Sequence, residues 1–102
     1  MSLGNLAKMA QQMQAQMARA QTELAEMTVE GTAGGGAVRA VATGKQELVR
    51  VTIDREVVDP DDVEMLQDLI TAAVNEALRA AREAGEQKMA AITGGMRIPG
   101  LG

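Results

Sequence analysis

The chain has 102 residues, enough for one domain, carries a net charge of −4, and contains no Cys, His, Phe, Tyr or Trp. Without Cys and His there are no disulfides, thiolate chemistry or zinc–sulfur sites, and the commonest general base is missing. Ser2 is the only serine and stands at the N-terminus, so no serine triad can be assembled. Enzyme activity, a resident cofactor and a small-molecule substrate are therefore not expected, and of metal sites composition leaves open only a hard-cation site built from carboxylates. The acidic balance argues against a protein that coats nucleic acid through bulk charge. No apolar run approaches the roughly 18 residues of a membrane span, and the N-terminus lacks a basic-then-apolar leader pattern. A soluble, cytoplasmic protein is expected.

Residues 5–27 read as a long helix rich in Ala and Gln. Leu6, Met9, Met13, Met17, Ala20, Leu24 and Met27 follow spacings of 3, 4, 4, 3, 4 and 3. At 3.6 residues per turn they form one stripe about 80° wide. Such a helix is marginal in water unless its stripe is covered, either by the rest of the chain or by a second copy. Ser2 or Asn5 is the expected cap.

Residues 28–54 lose the helical period and are cut by Gly31, Gly34, Gly35, Gly36 and Gly44. Val38, Ala40 and Ala42 alternate with Arg39, Val41 and Thr43, and Val49, Val51 and Ile53 alternate with Leu48, Arg50 and Thr52. Period-two alternation predicts strands with one buried face, and Thr28–Glu30 gives a third. Connections this short require an antiparallel meander.

The third section, residues 60–92, reads as a second helix, with Asp59 as N-cap, Pro60 at the first helical position and Asp61, Asp62 and Glu64 loading the first turn. Val63, Leu66, Leu69, Ile70, Ala73, Val74, Ala77, Leu78 and Ala81 keep the helical rhythm. Gly85 is a weak spot, Gly94-Gly95 a stop, and 96–102 a flexible tail. The predicted architecture is α+β: one domain over 1–95, helix–strand–strand–strand–helix. A three-stranded sheet under one helix leaves a second face and two edges exposed, which predicts a homodimer.

Four segments, taken in order, carry a resemblance: GNLAKMAQQMQAQM, VEGTAGGGAVRA, VRVTID, and EMLQDLITAAVNEA followed by KMAAITGGM. With these the chain resembles the bacterial YbaB/EbfC family of nucleoid-associated proteins from Gly4 to about Pro99. The resemblance implies an α-β-β-β-α protomer, an intertwined homodimer with projecting helical arms, and binding to duplex DNA with loose sequence preference. It also implies a place in the nucleoid, organising it or modulating expression.

Lys8 and Arg19 are the leading DNA-contact candidates. Eleven residues is close to three turns, so they lie about 20° apart, opposite the Met stripe and on a face shared with Gln12. In the resembled family, basic residues on this helix contact DNA, although members are often more Lys-rich where this chain has Ala15, Gln16 and Ala18. Fewer cations imply a shallower salt dependence. Arg79, Arg82 and Lys88 form a second group. Glu76, Glu83 and Glu86 stand three or four residues from the two arginines and are expected to pair with them, which leaves Lys88 as the freer cation. Arg97 in the tail is a further candidate. Arg39 and Arg50 are expected to pair across the sheet with Glu30, Glu47 or Asp54.

Two motifs are set aside. GTAGGG lacks the Gly-Lys-Ser/Thr ending of a phosphate loop and joins strands, so a hairpin connection is expected. The cluster Asp59, Asp61, Asp62 and Glu64 lacks the glycine and distal glutamate of a calcium loop. The absence of aromatic residues disfavours single-strand binding, which relies on base stacking. Met13, Met17, Leu24, Val51, Ile53, Leu66 and Ile70 are the expected core and dimer residues. The competing function is an acidic dimeric interaction module whose Met-lined helices capture partner proteins.

Overall fold

The computed structural model describes residues 2–93. Helix α1 (Leu3–Glu26) leads into strands β1 (Thr28–Ala33), β2 (Val38–Thr43) and β3 (Leu48–Ile53), a 3-10 turn (Arg55–Val57) and helix α2 (Val63–Thr93). The sheet is an antiparallel meander in the order β1-β2-β3. The α-β-β-β-α order is therefore the expected one. The Gly94-Gly95 stop, the tail and Arg97 lie outside the described residues.

Ser2 caps α1, its hydroxyl accepting from the Asn5 N–H at 3.2 Å. Helix α2 starts later than expected and with a different cap. Asp62 is the N-cap, its carboxylate accepting from the Met65 N–H at 3.2 Å. Asp59 instead builds the preceding turn: its carboxylate accepts from the Asp61 N–H at 2.9 Å and its carbonyl from the Asp62 N–H at 3.0 Å. Pro60 presets the first central position of that turn rather than the first turn of the helix. Gly85 does not interrupt α2, which runs unbroken to Thr93.

The core is made of small side chains. Val38, Ala40 and Ala42 of β2 meet Ala73, Ala77 and Ala81 of α2, all six fully buried. Gly31 on β1 completes this close approach, because a Cβ there would overlap the backbone of Ala73 and Ala77. Only a strand and helix stripped of side-chain bulk can lie this close without aromatic filling. At the far end, Gly34, Gly35 and Gly36 all take positive φ and form the β1–β2 hairpin turn. GTAGGG opens no helix, but of its residues only Gly34, Gly35 and Gly36 form the expected connection: β1, expected over Thr28–Glu30, continues through Gly31 to Ala33.

Helix α2 covers β1 and β2 and touches β3 little. Val51 and Ile53 on the inner face of β3 are therefore only half-buried. The register adds a departure from simple alternation: Val41 pairs with Arg50 but Ala42 with Leu48, so Val49 is the extra residue of a β-bulge. Leu48 and Val49 are left 47% and 49% exposed. The outer sheet face, by contrast, needs no cover. It carries Glu30, Arg39, Arg50 and several threonines around a buried Val41.

Candidate nucleic-acid interface

Past Ala81, α2 leaves the sheet and runs antiparallel to the C-terminal half of α1. The two helices form an arm that stretches the molecule to 70 × 28 × 16 Å. Ala20 and Leu24 are buried at its root. Further out the Met stripe is open: Leu6, Met9 and Met17 are 49%, 47% and 42% exposed, while Met13 is half-buried. About 18 Å of α2 extends beyond Ala81 against about 36 Å of α1, so the outer part of α1 has no described helix beside it.

Lys8, Gln12 and Arg19 are all exposed on α1, and among the described residues none makes an ion pair within 4.0 Å. Arg19 borders a groove of about 480 Å³ between the two helices, shared with Gln16, Glu23 and Lys88. Lys8 and Gln12 lie further out, with Lys8 about 17 Å along the axis from Arg19.

The expected division of the cations on α2 is reversed. Lys88 is half-buried and its Nζ stands 2.6 Å from the Glu23 carboxylate of α1. It follows Ala81 by seven residues and Ala77 by eleven, which puts it on the inward stripe. The pairing rule considered only carboxylates on its own helix. The Lys88 hydrogen bond and charge, with help from Arg19, hold the Glu23 carboxyl below its ordinary range. Arg79 and Arg82, by contrast, are exposed with no carboxylate within 4.0 Å among the described residues. On the sheet, Arg39 reaches Glu30 at 4.0 Å, as expected, but both are exposed and the pair contributes little. Arg50 makes no such pair among the described residues.

Two cations stand outside the sequence expectations, Arg55 in the 3-10 turn and Lys45. Lys45 lies at the tip of the β2–β3 hairpin and shares a second recess with Arg82, Gln21 and Gln46. Its only local signal was its place in a Gly-Lys-Gln turn.

Residues 1–96 match the YbaB/EbfC DNA-binding family. The chain belongs to that family. Its relatives include nucleoid-associated proteins of Moorella thermoacetica, 58% identical across 99% of this chain and all of that one, and of Acetivibrio thermocellus, 60% identical across 98% and 89%. Another, from Caldanaerobacter subterraneus, is 57% identical across 98% of this chain and 90% of its own length. The crystal structure of an uncharacterized Helicobacter pylori protein shares the fold, with a TM-score of 0.73 over 91% of this chain and 96% of that one at 24% identity. The family is one of DNA-binding proteins, not enzymes.

In this YbaB/EbfC member the acids are divided: Glu23 lines the groove of Arg19 and Lys88, Glu86 lines the recess of Lys45 and Arg82, and others serve the backbone. Asp54, Asp59 and Asp62 each accept from a nearby backbone N–H. Among the described residues no group of three acids could hold a metal ion, and no helix is long and apolar enough to cross a membrane. Of the expected core and dimer set, Leu24 is buried, Met13, Val51, Ile53, Leu66 and Ile70 are half-buried, and Met17 is exposed.

Proposed function

We propose that the protein binds duplex DNA as a homodimer with loose sequence preference, and that it acts in the nucleoid, organising it or modulating expression. The observation that carries this is the projecting arm whose outer face holds Lys8, Gln12 and Arg19 with no ion pair to the rest of the molecule among the described residues. Cations held this way engage phosphates, which position a protein without reading bases. Arg79 and Arg82 add to the cationic surface, and Lys88 supports the arm through Glu23. The absence of aromatic side chains favours duplex over single strand, and the names of the relatives support a place in the nucleoid.

Dimerisation draws support from the apolar surface at β3. Leu48 and Val49, with the open flanks of Val51 and Ile53, form an apolar strand edge of the kind that pairs with another chain. A two-fold axis would also join two arms on one duplex, so that weak contacts reinforce each other. Sedimentation of wild type and Val49→Lys tests this. A dimer that dissociates on substitution supports it, and a wild-type monomer at all concentrations overturns it.

For DNA, the test is fluorescence anisotropy with a labelled duplex of about 30 base pairs at several salt concentrations. Wild-type affinity should fall with salt, and Lys8→Ala/Arg19→Ala should weaken binding and lower the salt slope by about two. No binding at low salt would sink the proposal.

A second reading rests on the exposure of Leu6, Met9 and Met17. An open Met-lined stripe suits capture of a partner helix. Oxidation of Met17 in the free protein at the rate of an unfolded peptide would favour it, and protection would favour a stripe already covered in the dimer.

A further inference from the structure

We propose that the recess at the root of the arm, between Lys45 and Arg82, is a second duplex-DNA contact face, distinct from the face that carries Lys8 and Arg19. This rests on the DNA-binding reading above and extends it to residues on the opposite flank.

The recess is assembled from three remote segments. Gln21 comes from α1, Lys45 and Gln46 from the β2–β3 hairpin, and Arg82 and Glu86 from α2. The hairpin tip is fixed by its backbone. The Thr43 N–H donates to the Glu47 carbonyl at 2.8 Å, the Gln46 N–H to the Thr43 carbonyl at 3.0 Å, and the Lys45 N–H to the Thr43 hydroxyl at 3.2 Å. The tip is also clamped to α1: the Gly44 N–H donates to the Met27 carbonyl at 3.2 Å, and a Cβ on Gly44 would stand 2.8 Å from the Leu24 carbonyl oxygen.

Lys45 therefore has an anchored backbone, and its side chain makes no ion pair among the described residues. Arg82 shares the recess in the same state. Two cations and two amide side chains that can donate face one acid, Glu86. That donor set suits a phosphodiester backbone.

The two faces are distinct because of where the helices put them. Gln21 lies about 160° around α1 from Arg19, and Arg82 about 120° around α2 from Lys88. The recess and the Arg19 groove thus flank opposite sides of the α1–α2 seam. The recess is also the less compromised of the two. In the Arg19 groove, Lys88 is already neutralised by Glu23. In the recess, Glu86 lies one turn from Arg82 but not within 4.0 Å of it.

The test uses the full chain and the same labelled duplex, comparing wild type, Lys8→Ala/Arg19→Ala, Lys45→Ala/Arg82→Ala and all four changes together. Removing Lys45 and Arg82 should weaken binding roughly tenfold at low salt and lower the salt slope by about two. The Lys8/Arg19 variant should keep a salt-dependent residue of binding that the quadruple variant loses. Glu86→Gln should tighten binding only while Lys45 and Arg82 are present. All four changed side chains are exposed, so thermal melts should match wild type. Wild-type-like binding by Lys45→Ala/Arg82→Ala, with Lys8→Ala/Arg19→Ala alone abolishing it, would overturn the second face and leave the first intact. Absence of wild-type binding would overturn both.

Discussion

Helices α1 and α2 carry apolar stripes of similar regularity, yet they are covered very differently. Helix α2 lays Ala73, Ala77 and Ala81 against β2, and all three are fully buried. Helix α1 buries only Ala20 and Leu24, leaving Leu6, Met9 and Met17 open. The difference lies in side-chain size and chain connection. Small residues let α2 settle on a glycine-bearing strand, whereas α1 meets the sheet at Met27 and has only the β2–β3 hairpin tip and the end of α2 beside it. An amphipathic stripe therefore shows that a helix seeks cover without saying where the cover comes from. In this molecule stability is concentrated in α2 and the sheet, and reach is concentrated in α1.

The strongest way to break that contrast is to push α2 off its strand. Gly31→Val places a branched side chain where even a Cβ overlaps the backbone of Ala73 and Ala77. Since overpacking against side chains alone costs about 1–3 kcal/mol, a clash with backbone should reach about 3 kcal/mol or more, read from the urea midpoint. A variant as stable as wild type would show that α2 does not lie this close.

The two ends of the α1 stripe offer an internal control, because the same chemistry can be deleted at each. Leu24 is 4% exposed and Leu6 is 49% exposed. Leu24→Ala should cost about 3 kcal/mol, and Leu6→Ala no more than about 0.5 kcal/mol at low protein concentration. A cost at Leu6 that grows towards that of Leu24 as concentration rises would show that a second chain covers the outer stripe.

The contrast also marks what was legible beforehand. Periodicity located both helices and strands β2 and β3, since each pattern reports a local geometry, whereas β1 has no such alternation and runs past Glu30 to Ala33. The hairpin glycines Gly34, Gly35 and Gly36 are readable for the same local reason, and the structure chooses Ser2 over Asn5 as the cap. What failed was mostly decided by a neighbour distant in the chain, the start of α2 being the local exception. Asp59 and Asp62 are equally good caps by residue type, and only the Asp59 turn hydrogen bonds shift the start of α2 to Val63. The bulge at Val49 depends on pairing with β2. Lys88 was judged by carboxylates on its own helix, although its stripe position pointed towards α1. Lys45 stands out only beside Arg82, which lies on another element. Charges on a local pattern can be counted from sequence, but their partners cannot.

The smallest expected effect concerns how the arm is held closed. Glu23 is exposed, and the Lys88 hydrogen bond and charge, with Arg19 behind them, hold its carboxyl below the ordinary value of about 4.5. As pH falls, the unfolded chain takes up this proton first, so the folded state loses relative stability. The contribution is therefore fully present above about pH 4.5 and disappears as pH drops through the lowered folded value. Lys88→Gln removes the pair and returns Glu23 towards its ordinary range. The difference in melting temperature between wild type and Lys88→Gln should be constant near neutrality and shrink towards zero in acid. Added salt should reduce it, because Glu23 is exposed and Lys88 only half-buried. A difference that persists unchanged into strong acid would mean that Lys88 stabilises the arm through its packed methylenes rather than its charge, and α1 would then be held to α2 by contact alone.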